Sequence, residues 1–424
     1  MTNYKLKNFA TGKVFEDKGW TLSDPTYDKP ALIRAIYENK KLTVRDDSLG
    51  IYKFSDWLPI NKMLQNSSST QTYKSEKLAA HLGLSNLYIS FSGYWPKIGA
   101  KMTTCSFKET EAYSVCARLS EDNSGVMVVA SAGNTARAFA KVCSDNNIPL
   151  LLVIPYDNLD ALWFNQEINS NVKLICTPTG TDYFDAIDLS NKICSSALFF
   201  EEGGAKNVAR RDGMGTTVLS AATTIGRIPD YYFQAIGSGT GAIAAWEANL
   251  RLIEDGSYGD TKMKLIPSQN IPFTPIYDSW KASRREIIFP NEDEARENAL
   301  KIDAKVLSNR RPPYGLAGGL YDALTDSNGD VEIVGNKELQ EACALFEKLE
   351  GVDIHPASGV ALAGMIKSID SGKVDRDAII MLNITGGGEK LFKSEFKLNY
   401  LQPNLILDNK EDTAHIIESA ESLF

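Results

Sequence analysis

Val126-Met127-Val128-Val129-Ala130-Ser131-Ala132-Gly133-Asn134-Thr135-Ala136-Arg137 passes from an unbroken apolar run, through a short polar turn, into a segment of helical spacing. An apolar run without alternation reads as a strand covered on both faces. Further strand candidates follow at 150–154, 173–176, 198–200, 231–236, 263–266 and 379–383, separated by segments of helical period. Such alternation predicts an α/β fold with parallel sheets and helices on both faces, where ligands collect at the carboxyl ends of the strands.

Three glycine-bearing loops occupy such strand ends. In the quoted stretch, successive N–H groups at a helix start can cradle an anion, and Asn134 can both donate and accept; an ordinary helix cap is the alternative. Gly237-Ser238-Gly239-Thr240-Gly241 places three glycines and two hydroxyls before a helix, a pattern suited to a phosphate. A dinucleotide fold would also use such a loop, but the spacing is G-x-G-x-G, and the next strand runs into Pro267, Ser268 and Gln269 without an acidic residue for a ribose. The third loop, Thr385-Gly386-Gly387-Gly388, ends the strand candidate 379–383.

One lysine stands apart. In Thr104-Cys105-Ser106-Phe107-Lys108-Glu109, Ser106 and Glu109 have capping-box spacing, and Ala112, Val115, Cys116 and Leu119 continue at helical period. Lys108 therefore falls in a first helical turn, where a cation opposes the helix dipole at a cost of up to about 1 kcal/mol. A solvated lysine tolerates that cost; an amine kept reactive, or joined to a carbonyl cofactor, has a use for the position. A basic cluster, Lys206-Asn207-Val208-Ala209-Arg210-Arg211, precedes another helix and is a second candidate anion site, with solvated salt bridges as the alternative.

Composition narrows the partners. The chain has 424 residues, 43% hydrophobic and 23% charged, with a formal charge of −9. Two domains are expected from that length, and nucleic acid or an anionic membrane is a poor partner for that charge. Nothing approaches the ~20 apolar residues of a membrane span, and residues 1–14 lack a signal-peptide core, so a cytoplasmic protein is expected. Its 6 cysteines form no C-x-x-C pair, and 3 histidines give little basis for a metal site or a Ser-His-Asp triad. The aromatic- and turn-rich N-terminal region reads as an arm lying across the main body, with one helical segment near 30–39 and a polar loop at Ser67-Ser68-Ser69-Thr70.

Taken in order, S-F-K before a helix, S-x-G-N-T after a strand, G-S-G-T-G and a strand-terminal T-G-G-G resemble the fold-type II pyridoxal-phosphate enzymes over about residues 87–390. Within them, Ser92-Gly93-Tyr94-Trp95-Pro96 and Asn383-Ile384-Thr385-Gly386-Gly387-Gly388 resemble the threonine synthase branch. The flanks of Lys108 depart from that branch's N-P-T-G-S-F-K-D-R-G pattern.

This resemblance implies two open, twisted parallel-sheet domains of the tryptophan synthase β type with the cofactor cleft between them. The arm would span residues 1–86, the larger domain 87–124 and 229–424, and a smaller, mobile domain 125–228. It implies pyridoxal 5'-phosphate held covalently by Lys108, which would later remove the substrate Cα proton. Asn134 would bond the ring oxygen, Gly237, Ser238, Gly239, Thr240 and Gly241 would cradle the phosphate, and Thr385 would meet the ring nitrogen. Ser131, Gly133 and Thr135 would receive the substrate carboxylate. We expect Lys206, Asn207, Arg210 and Arg211 to hold the departing or incoming anion. The reaction implied is β-replacement on O-phospho-L-serine by sulfite; threonine synthesis from O-phosphohomoserine, or a non-catalytic amino-acid sensor, are the alternatives. A homodimer is the family's usual assembly.

Overall fold

The computed structural model describes residues 2–131, 133–289 and 291–424, so Ala132 of the quoted turn lies outside the described residues. Two sheets carry the architecture. The larger runs, in spatial order, Glu332–Val334, Lys264–Asn270, Tyr231–Ala235, Ile379–Ile384, Asn86–Phe91 and Gln71–Lys74. Its strands are parallel except the last, which pairs antiparallel with Asn86–Phe91. The smaller is parallel throughout and runs Phe199–Glu201, Val126–Ala130, Leu150–Pro155, Val172–Thr177 and Leu405–Ile406. Its central strand, LLLVIP, is buried along its whole length, because helices cover both faces.

The N-terminal region forms a three-stranded antiparallel sheet from Tyr4–Asn8, Val14–Phe15 and Ile33–Tyr37. The helix expected near 30–39 is therefore a strand. Ile33, Ala35 and Tyr37 are buried, whereas Arg34 and Ile36 between them are less so. Pairing with Tyr4–Asn8 selects that period of two. This sheet packs on the helices Val208–Ile225 and Thr240–Asp255, where Leu6, Ile33 and Tyr37 share a core with Val218 and Ile243. The arm also reaches the smaller sheet, since Trp20 Nε1 donates to the Glu201 carbonyl at 2.9 Å.

The C-terminal segment crosses back to the smaller sheet, where Leu405 and Ile406 pair with Ile175 and Cys176. Ile416 and Ala420 of the helix Thr413–Glu421 pack with Leu189 and Ile193. The sequence division placed this segment with the larger sheet. A two-residue strand carries no period of its own to correct that.

The helix Lys108–Arg118 lies against both Asn134–Asp145 and Val208–Ile225. Gly213 permits the second contact, because a Cβ there would stand 2.3 Å from the Thr110 carbonyl oxygen. Among the described residues no helix is long and apolar enough to cross a membrane.

Candidate active site

Lys108 is positioned by two loops far apart in sequence. Phe107 N–H donates to the Thr385 carbonyl at 2.9 Å and Gly387 N–H to the Cys105 carbonyl at 3.1 Å, tying the lysine loop to the strand end at 384–387. The expected capping box is absent: Ser106 Oγ accepts from Lys108 N–H at 3.3 Å, but Glu109 reaches back to Thr104, accepting from its N–H at 2.7 Å and its hydroxyl at 2.9 Å. Lys108 Nζ rests 3.0 Å from Glu111 Oε2. Burial holds its amine below the usual lysine range, with Arg210 acting in the same sense and Glu111 opposing. A lysine so placed is closer to being a free base than one in water.

Glu111, which the sequence reading overlooked, is fully buried and joins three groups. Besides Lys108, its carboxylate accepts from the Thr135 hydroxyl at 3.2 Å and from Arg210 Nη1 at 2.9 Å. Arg210 is in turn held by Glu202, with Nε 2.9 Å from Oε1. The one sequence signal for Glu111 was its place three residues beyond Lys108, on the same helical face.

The basic cluster divides. Lys206 and Arg210 line the cleft, and Lys206 is exposed with no partner among the described residues. Asn207 and Arg211 do not line it, which corrects the expectation for both. Asn207 caps its helix, accepting from Ala209 N–H at 3.1 Å and Arg118 Nη1 at 2.9 Å. Arg211 turns into the core, where its Nε lies 3.1 Å from both carboxylate oxygens of Glu247. Consecutive helical positions differ by about 100°, so a basic run cannot face one cavity throughout.

At the strand end near 130, Ser131 Oγ accepts from the N–H groups of Gly133 and Ala136, both at 3.1 Å. Asn134 opens its helix, and its Oδ1 accepts from Arg137 Nη2 at 2.9 Å. Gly239 stands before Thr240 with φ of 79°, a left-handed conformation that glycine adopts without strain. The Ser238 and Thr240 hydroxyls are 2.8 Å apart. Asp255, the acidic residue nearest in sequence for a dinucleotide ribose, is committed elsewhere, its Oδ2 accepting from Leu42 N–H at 2.7 Å.

Lys108, Ser131, Gly133, Asn134, Thr135, the Gly237–Gly241 loop and Thr385 line one cleft of about 680 Å³ between the two sheets. His355, also missed as a site residue, joins them and lies 3.0 Å from Glu389. The cleft thus brings together a buried lysine amine, a glycine loop at a helix start, an amide and an uncharged hydroxyl.

Residues 65–386 match the family described as pyridoxal-phosphate dependent enzyme, and the chain belongs to that family. It is 48% identical over 413 residues to the cysteate synthase of Methanosarcina mazei, covering 97% of this chain and 98% of that protein. To the cysteate synthase of Methanosarcina barkeri it is 46% identical over 405 residues, covering 95% and 96%. Maize serine racemase shares the fold at a TM-score of 0.57 and 16% identity, over 77% of this chain and 91% of that one. The processed form of threonine deaminase isoform 2 from Solanum lycopersicum does so at 0.54 and 17%, over 77% and 82%.

The donor set suits the family's cofactor. N–H groups at the start of the Thr240–Asp255 helix would suit its phosphate, and the Lys108 amine its aldehyde.

Proposed function

We propose that this enzyme converts O-phospho-L-serine and sulfite to L-cysteate and inorganic phosphate. The near full-length identity to cysteate synthases carries the reading, and the cleft accommodates it. Bound there, pyridoxal phosphate supplies an electron sink for negative charge at the substrate Cα.

The chain's own residues do the rest. Lys108 would hold the cofactor, and its freed amine would take the Cα proton and later return it, while the Cβ–O bond would break as phosphate leaves and sulfite sulfur would bond to Cβ. Asn134 would face the ring oxygen, the Gly237–Gly241 loop would receive the cofactor phosphate, and Thr385 would offer a neutral hydroxyl to the ring nitrogen. A neutral partner there would favour prompt expulsion of a leaving group over transamination. Ser131, Gly133 and Thr135 receive the substrate carboxylate.

For the phosphate and sulfite anions, Lys206 is a cation at the cleft with no partner among the described residues, whereas Arg210 already faces two carboxylates. We place the reaction in the cytoplasm, where free cysteines persist as thiols.

Phosphate release from O-phosphoserine, measured with and without sulfite and with cysteate identified by mass, tests the reading. Strong stimulation by sulfite is the expected result. Turnover of O-phosphohomoserine to threonine, or no turnover with a bound cofactor, replaces it with synthase chemistry of the other kind or with a sensor.

A further inference from the structure

Arg137 is a guanidinium that is only 2% exposed, and no carboxylate pairs with it among the described residues. Its Nε and Nη2 donate to the Thr104 carbonyl at 3.2 and 3.0 Å, and its Nη1 to the Ala161 carbonyl at 2.6 Å. Its face lies 4.0 Å from the centre of the Trp163 ring. The remaining bond goes to Asn134 Oδ1 at 2.9 Å. The titratable groups that act on it at longer range are Glu389, Cys105 and Glu109. A buried cation met only by carbonyl oxygens and an indole is costly to keep.

A guanidinium can only donate, so the atom of Asn134 that meets it must be the carbonyl oxygen. Left to itself an asparagine amide turns over between two nearly equivalent settings. Here four other contacts hold the guanidinium, and through it the amide. Asn134 lines the cleft, and among the described residues no acceptor takes its Nδ2. The cleft is therefore presented with an N–H donor polarised by a buried positive charge, and such a donor bonds most strongly to an anionic oxygen.

We propose that Arg137 is a positioning residue that locks the Asn134 amide with its N–H toward the cleft, favouring the ionised over the neutral form of the cofactor's ring hydroxyl. This rests on the reading that Asn134 faces pyridoxal phosphate. It also assigns a use to the buried charge, which would compensate an anionic ring oxygen through one amide. Because Thr104 precedes Lys108 by four residues, the same guanidinium couples the placement of the ring oxygen's donor to that of the lysine loop.

The test uses the full chain reconstituted with pyridoxal phosphate, comparing wild type with Arg137→Gln, Asn134→Ala and the double variant. Absorbance across pH reports the ring's ionisation, titration gives cofactor affinity, and the melting temperature of the cofactor-free protein reports folding. Arg137→Gln is expected to move absorbance from the long-wavelength, ionised-ring form toward the short-wavelength, neutral one and to weaken cofactor binding about tenfold, the worth of one charge-assisted hydrogen bond. Asn134→Ala should do the same, and the double variant should go little further. A wild-type spectrum and affinity in Arg137→Gln overturns the proposal, as do effects of the two substitutions that add in full. Should Arg137→Gln not fold, Asn134→Asp serves, because it keeps an oxygen for Arg137 and replaces the cleft-facing donor with an acceptor; an unchanged spectrum there overturns it as well. A wild-type chain that takes up no cofactor at all would instead refute the underlying reading of the cleft.

Discussion

Nζ of Lys108 lies 3.0 Å from Oε2 of Glu111, one turn along the same helix, and the other oxygen of that carboxylate lies 2.9 Å from Arg210. Burial disfavours the charged amine while Glu111 favours it. Removing the carboxylate leaves burial and Arg210 acting together, so Glu111→Gln should lower the amine's pKa further. Only the neutral amine attacks an aldehyde. In stopped-flow reconstitution, the pH limb for cofactor attachment should move to lower pH in Glu111→Gln; a limb moving up, or staying, contradicts the assignment. Lys108→Ala should abolish borohydride-trappable cofactor and lower turnover by about 100-fold or more.

Lys206 and Arg210 differ in what already neutralises them. Lys206→Ala should raise the KM for sulfite or O-phosphoserine by about fivefold to tenfold, the loss of one charged hydrogen bond, with kcat changed less. Arg210→Ala frees Glu111 and Glu202 beside the lysine and should lower kcat as well. Steady-state kinetics with each substrate varied would reverse these assignments if the two patterns exchanged.

Asn207 and Arg211 act on stability. Asn207→Ala removes a helix cap and the acceptor of Nη1 on the buried Arg118, whose Nη2 keeps its pair with Asp17, a loss of about 2–3 kcal/mol. Arg211→Met leaves Glu247 buried without its partner, at about 3–5 kcal/mol. Urea denaturation should show both losses, while KM in variants that fold stays near wild type. A raised KM with unchanged stability would restore these residues to the anion site.

Glu389 sets a pH dependence. Burial pushes its carboxyl up, but bonds from His355 and Lys393 prevail and bring it down to about 2. A carboxyl depressed on folding stabilises the protein above its unfolded pKa of about 4.3, and that contribution fades as pH falls toward 2. Glu389→Gln should therefore be less stable than wild type at neutral pH, with the difference shrinking through the acid range. Denaturation midpoints that differ equally at pH 7 and pH 3 would count against the pairing.

The βα framework was legible because its signals are local. The stretch 126–137 carries both an apolar run and a helical period, and each glycine loop sits at the seam between two such segments. Lys108, Asn134, Thr385 and the Gly237–Gly241 loop could be named for the same reason: a strand end or a first helical turn fixes where a residue stands relative to its own element. The segment 33–37 was misread because Ile-Arg-Ala-Ile-Tyr fits more than one period until Tyr4–Asn8 pairs with it.

What the chain's order of residues determined by itself was the succession of elements and the chemistry available at their ends, since backbone period and turn residues act over a few positions. Which side chains face the cleft was decided only when three helices met. That packing turned Arg211 into the core and Arg210 toward Glu111, and it buried Arg137 against Asn134 and Trp163. Direction across a helix depends on neighbours distant in the chain, and a buried charge takes whichever partner that packing supplies.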